Sequence, residues 1–141
     1  MCGISGLISL DKDLKDNDYS TVKRMSDSIS HRGPDQQKIQ KFDKAILANN
    51  RLKIMDLDDR SSLPMSSEDG SVWICYNGEI SNFRELKNKY KLSEKYNFKG
   101  TSDTEVIIYL YKELGISFLN ELSGMFAFCL VDFKKKKNMV S

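Results

Sequence analysis

The sequence contains no apolar run approaching the roughly 20 residues that span a bilayer, and its start lacks the basic-then-apolar pattern of a secretory signal. These absences predict a cytoplasmic protein with no membrane partner. Charge of one sign is missing too: 22 basic and 20 acidic residues are spread along 141 positions for a formal net charge of +2, so nothing in the balance predicts a nucleic-acid partner. The three cysteines, Cys2, Cys75 and Cys129, are odd in number and far apart without a C-x-x-C pair, which argues against a disulfide framework and against a zinc or other metal site. There is one histidine, His31, with no internal repeat and no low-complexity linker. What remains, 40% hydrophobic and 30% charged residues, suits one globular domain burying about two thirds of its unfolded surface.

An alternating apolar segment from Ile4 to Leu10 predicts a first strand. Tyr19, Val22, Met25 and Ile29 then recur at helical spacing, and the helix stops at His31-Arg32-Gly33-Pro34-Asp35, where glycine and proline set a turn. Strands are predicted at Gln37 to Phe42, Ala45 to Asn49 and Val72 to Tyr76, the last running into Asn77-Gly78, a turn dipeptide, and Glu79. Phe83, Leu86 and Tyr90 share a helical face. Ser102 and Glu105 have capping-box spacing at the start of a strong helix with Val106, Ile107, Leu110, Tyr111 and Leu114 on its apolar side, and Gly115 suits its stop. A short helical turn at Phe118 to Leu122 and a buried strand from Met125 to Asp132 complete the set. Lys134 to Lys137 reads as a solvated hairpin tip. Strands and helices mix without βαβ alternation, which predicts an α+β fold with mostly antiparallel sheets; Cys75 and Cys129 fall inside strand patterns and are expected in the core.

The feature with the most chemistry is Cys2, in the run Met1-Cys2-Gly3-Ile4-Ser5-Gly6. Removal of Met1 would put a strongly nucleophilic thiol on the same residue as an α-amine, whose reference pKa of about 7.7–8.0 suits a base near neutral pH. The plainer reading is that Cys2 is a small buried hydrophobe. Asn77 and Gly78 have the N–H groups that an oxyanion needs, or they make a tight turn. Arg51 can fork onto a carboxylate, or sit in a surface ion pair; Asp103 can accept an ammonium, or cap the helix that follows Ser102, or do both.

Six motifs taken in order resemble the class II glutamine amidotransferase domain, an N-terminal-nucleophile hydrolase, in the form found in asparagine synthetases. They are Cys2-Gly3-Ile4-Ser5-Gly6, His31-Arg32-Gly33-Pro34-Asp35, Arg51-Leu52-x-Ile54-x-Asp56-Leu57, Asn77-Gly78-Glu79-Ile80-x-Asn82-Phe83-x-Glu85-Leu86, Ser102-Asp103-Thr104-Glu105-Val106 and Gly124-Met125-Phe126-Ala127-Phe128. The resemblance implies a four-layer αββα sandwich and hydrolysis of glutamine to glutamate and ammonia through a cysteinyl thioester. It implies Cys2 as nucleophile, Asn77 and Gly78 as oxyanion donors, and substrate contacts from Arg51, Leu52, Ile54, Asn77, Gly78, Glu79 and Asp103. His31 is not needed as a base, and Arg32 and Asp35 are expected to shape the loop around the pocket.

The expected partners are glutamine and an ammonia-accepting synthetase domain or subunit making asparagine from aspartate, with ATP and Mg belonging only to that part and no cofactor in this chain. A homodimer is left open as its assembly. Asn49 stands where the family commonly has histidine, Ser81 where it often has tyrosine, and Leu63 where glutamine usually precedes proline; all three are expected at the pocket margin, bearing on affinity. An Arg-Asp-x-x-Gly-x-x-Pro-Leu segment and a Ser-Gly-Gly-x-Asp-Ser pyrophosphate loop are absent. The expectation is therefore an amidotransferase domain over 1–141, incomplete at its C-terminus and without its synthetase domain. The alternative is a non-catalytic remnant serving as a binding or assembly module.

Overall fold

The computed structural model describes residues 2–52, 62–134 and the strand at 137–140. The chain is α+β, with every strand pairing antiparallel. Strands β1 (Gly3–Ile8), β2 (Gln36–Lys41) and β3 (Ala45–Arg51) form one sheet in the order β1-β3-β2. The second sheet runs β4-β5-β6-β7, from β4 (Met65–Ser66), β5 (Val72–Ile80), β6 (Gly124–Asp132) and β7 (Lys137–Val140). Helix α1 (Asp16–Ser28) follows β1, while α2 (Phe83–Lys89), α3 (Leu92–Lys95) and α4 (Asp103–Leu114) lie between β5 and β6.

The two-residue period of a strand explains how the layers hold together. Along β3, Ile46 and Ala48 face α1 and pack with Val22 and Leu14. Ala45 and Leu47 face the other way, onto Cys75 and Val131 of the second sheet. Along β5 the same alternation sends Trp73 and Cys75 toward the first sheet and Val72, Ile74 and Tyr76 toward the helices. Each sheet is thus covered on both faces by apolar contact. Helix α4 is buried without interruption from Asp103 to Tyr111, because Tyr96 stacks on Tyr109 at 4.3 Å and Phe98 meets the same ring edge-on, covering the side that a simple amphipathic helix would expose.

Several local expectations are corrected. In α1 the inward residues are Val22 and Ser26, while Tyr19 and Met25 are largely exposed; Ser26 is held there by donating to Asn50 Oδ1 at 2.6 Å and accepting from Gln37 Nε2 at 2.9 Å. The capping box at α4 does not form. Ser102 makes no side-chain cap bond, and Glu105 instead accepts the backbone N–H groups of Lys99 and Gly100, both at 2.8 Å. Asn77-Gly78 is not a turn: β5 continues to Ile80, with Asn77 opposite Ala127 and Gly78 opposite Phe126. Gly115 does end α4, at φ 59°. No helix among the described residues is long and apolar enough to cross a membrane.

Candidate active site

A cavity of about 530 Å³ opens where the two sheets meet the start of α4. The antiparallel register Gly3↔Asn50 brings the start of β1 beside the end of β3, so Cys2, Arg51 and Leu52 all reach its wall. The C-terminal half of β5 supplies Asn77, Gly78 and Glu79, and the first turn of α4 supplies Asp103. Every predicted site residue that is described therefore lines this one cavity; Ile54 lies outside the described residues. A larger cavity of about 680 Å³, at the opposite strand ends around Phe42 and Phe133, holds none of them.

Polar groups in the cavity are fixed by specific bonds. Asp103 is 6% exposed, and its Oδ2 accepts the Tyr76 hydroxyl at 2.6 Å and the Ile80 N–H at 2.9 Å. Its Oδ1 has no hydrogen-bond partner among the described residues. Burial first, and then the bond to Asp103, push the Tyr76 phenol far above its ordinary pKa, so it remains a donor. Arg51 is 5% exposed, so a buried cationic residue and a buried carboxylate residue line the same cavity.

The edge of β5 explains how a backbone donor comes to face the cavity. In an antiparallel strand, alternate N–H groups point to opposite sides. Tyr76 and Ile80 turn theirs away from β6, to the Asn49 Oδ1 at 2.9 Å and to Asp103, while β4 stops at the pair Ser66↔Trp73. Gly78 lies between them in unbroken register, so its N–H points to the same uncovered edge. Glycine is required at this position: a Cβ would sit 2.4 Å from the Met125 carbonyl oxygen and 2.5 Å from the Phe126 Cα. The Asn77 side chain makes no hydrogen bond to another described residue, which leaves its amide available to a ligand.

The loop after α1 grips the first residues of the chain. Arg32 Nε donates to the Cys2 carbonyl at 3.3 Å. This approach depends on Gly33, where a Cβ would meet the Asn50 carbonyl oxygen at 2.2 Å. His31, by contrast, is exposed and lines no part of the cavity. Beyond the end of β5, Asn82 ties the chain to the approach to β6, donating to the Glu121 carbonyl and accepting from the Ser123 N–H. Ser81 and Leu63 line the cavity, as expected of residues at its margin. Asn49 does not: it is fully buried and bonds only to backbone.

Sequence reasoning missed Tyr76, which reads as an ordinary core aromatic. The signal was present, since a buried phenol needs a hydrogen-bond partner and Asp103 was already a candidate. The asparagine directly after the apolar run Ala45 to Ala48 likewise marks a buried polar group with an obligation to bond.

Comparison with known proteins places these observations in context. The model of a glutamine amidotransferase domain matches residues 1–141. Among curated proteins, the chain is 40% identical over 138 residues to the glutamine-hydrolyzing asparagine synthetase 2 of Bacillus subtilis (strain 168), covering 97% of this chain and 18% of that protein. It is 36% identical over 140 residues to the glutamine-hydrolyzing asparagine synthetase B of Escherichia coli (strain K12), covering 99% and 24%. A putative glutamine-hydrolyzing asparagine synthetase 2 of Methanocaldococcus jannaschii is 37% identical over 153 residues, covering 96% and 28%. The chain thus spans between 18% and 28% of the length of these relatives.

Proposed function

Because this chain belongs to the family of glutamine amidotransferase domains, in the form carried by asparagine synthetases, we propose that it hydrolyses glutamine to glutamate and ammonia with Cys2 as the nucleophile. The observation that carries the reading is the pairing, in one cavity, of a buried cation and a buried anion beside a thiol: Arg51, Asp103 and Cys2. Glutamine differs from other amides in its α-carboxylate and α-ammonium. Arg51 is assigned the first and the open Oδ1 of Asp103 the second, with Glu79 and the backbone at Leu52 and Ile54 as further contacts.

Removal of Met1 frees the α-amine of Cys2, which takes the thiol proton as the sulfur attacks the side-chain carbonyl carbon of glutamine. The carbonyl oxygen becomes an oxyanion, stabilised by the Gly78 N–H and the Asn77 side-chain N–H. Such donors act before charge develops and need no reorganisation during the step. Collapse of the intermediate breaks the C–N bond, and the protonated amine returns its proton to the leaving ammonia. The thioester that remains is opened by water, releasing glutamate and restoring the thiol. The fold assigned to this chemistry is the N-terminal-nucleophile αββα sandwich, which the packing of both sheet faces supports.

The ammonia acceptor is a synthetase domain or subunit that forms asparagine from aspartate, a reading supported by the names of the relatives. ATP and Mg belong to that part, and no residue of this chain is assigned to them. Residues 1–141 are accordingly proposed to be the amidotransferase portion of a longer enzyme. A remnant without a working pocket is not favoured, since the cavity and its charged pair are retained.

Glutamine turnover by the Met1-processed chain tests the assignment. Ammonia release is expected in the parent and its abolition in Cys2→Ala; equal release from both would overturn the mechanism.

A further inference from the structure

The geometry points to Asn49 as a positioning residue that fixes the nucleophile strand against the oxyanion edge, an inference that rests on the glutaminase reading above. Cys2 immediately precedes β1 of one sheet and Asn77-Gly78 belongs to the other, so no strand ladder sets the distance between them. Besides the apolar packing and the Cys75 thiol on the Ala48 carbonyl, one amide side chain bonds to both sheets beside the site. Asn49 Nδ2 donates to the Gly3 carbonyl at 3.1 Å, and Asn49 Oδ1 accepts the Tyr76 N–H at 2.9 Å. Gly3 immediately follows the nucleophile, and Tyr76 immediately precedes the first oxyanion donor.

The chemistry of the amide suits this role. A donor must face the carbonyl and an acceptor must face the N–H, so only one orientation of the side chain serves both. Asn49 is fully buried and is not part of the cavity wall, which removes direct contact with substrate as its purpose. The Tyr76 N–H it occupies is an edge donor of the same series as the Gly78 N–H. By taking the first, Asn49 holds β5 at the distance at which the second can meet an oxyanion formed on Cys2. A leucine here would keep the branched outline of four side-chain heavy atoms, though with bulkier methyl groups, and would carry no polar group, leaving the Gly3 carbonyl and the Tyr76 N–H buried without partners.

Two variants of the full chain test this. Asn49→Leu removes both bonds, and Asn49→Gln keeps both groups but moves them out by one methylene. For glutamine turnover, kcat is expected to fall about a hundredfold in the first and about tenfold in the second, because small misplacements of reacting groups carry penalties of that order. KM should stay within about threefold of the parent, since Arg51 and Asp103 are untouched. A parental kcat in both variants with only a lower melting temperature, or a raised KM with unchanged kcat, would overturn the inference. Should Asn49→Leu fail to fold, Asn49→Gln alone decides it by the same split. If the parent turns over no glutamine, the glutaminase reading fails separately, and amide exchange decides the role of Asn49. Slow exchange at Tyr76 in the parent and fast exchange in Asn49→Leu would support it; equal rates would overturn it.

Discussion

The Tyr76 hydroxyl donates to Asp103 Oδ2 at 2.6 Å, linking the strand that carries Asn77 and Gly78, the proposed oxyanion donors, to the carboxylate that faces the cavity. Tyr76→Phe removes that donor while the Ile80 N–H stays on the same oxygen. Asp103 should then lose orientation but not its place. The expected result is a KM for glutamine raised roughly 10- to 150-fold, the factor equivalent to losing about 1.5–3 kcal/mol from one hydrogen bond to a charged group, with kcat nearly unchanged; steady-state kinetics checks it. A kcat loss at constant KM would assign Tyr76 to the chemical step instead.

Asn77→Ala is expected to lower kcat by about 10²–10³ while glutamine still binds, as for removal of one oxyanion donor elsewhere. Ligand-induced thermal stabilisation separates the two effects: it should persist in this variant as kcat collapses.

Gly78→Ala tests the close approach of β5 to β6. Its methyl would press on the Met125 carbonyl and the Phe126 Cα, so a stability loss of about 1–3 kcal/mol is expected, together with severe loss of turnover. Denaturant unfolding reads the first and ammonia release the second. An active variant of parental stability would mean that the strands part at no cost.

Alkaline pH should destabilise the fold. Burial raises the Cys129 thiol to about 11 and the Cys75 thiol well above its ordinary value, and burial first among the causes raises Tyr96 and Tyr111 to about 12. Groups whose folded pKa lies above the unfolded value keep their protons longer in the native state. Their contribution is whole below the unfolded pKa, about 8.5 for cysteine and 10 for tyrosine, and is lost as pH rises toward the folded values. Urea midpoints should therefore fall between about pH 9 and 12, and less steeply in Cys129→Ala. A flat midpoint over that range would contradict the buried placement of these groups.

Much of the fold and the gathering of the site residues was legible because long-range order is written in polar residues as well as apolar ones. Six motifs pointed to a family that the match over residues 1–141 bears out, and Cys2, Arg51, Asn77, Gly78 and Asp103 line one cavity. Local rules failed where tertiary pairing overrode them. Asn77-Gly78 has the composition of a turn, yet pairing with Phe126 and Ala127 keeps it extended. Glu105 has the spacing of a capping box, yet the N–H groups of Lys99 and Gly100 in the preceding loop claim its carboxylate. Asn49 shows a further kind of failure: its bonds join backbone groups 46 and 27 positions away, and no window along the chain contains both.

Helix α4, enclosed from Asp103 to Tyr111, has a consequence for how the site comes apart. Opening free energies are highest for elements with the densest apolar burial and lowest near termini. Asp103 is the first residue of that enclosed helix, whereas Cys2 precedes β1, an edge strand of the smaller sheet. On warming, the end of the cavity that holds Cys2 is expected to loosen first, while Asp103 stays set. On the proposed assignment, glutamine turnover is therefore expected to fail at a lower temperature than glutamine binding.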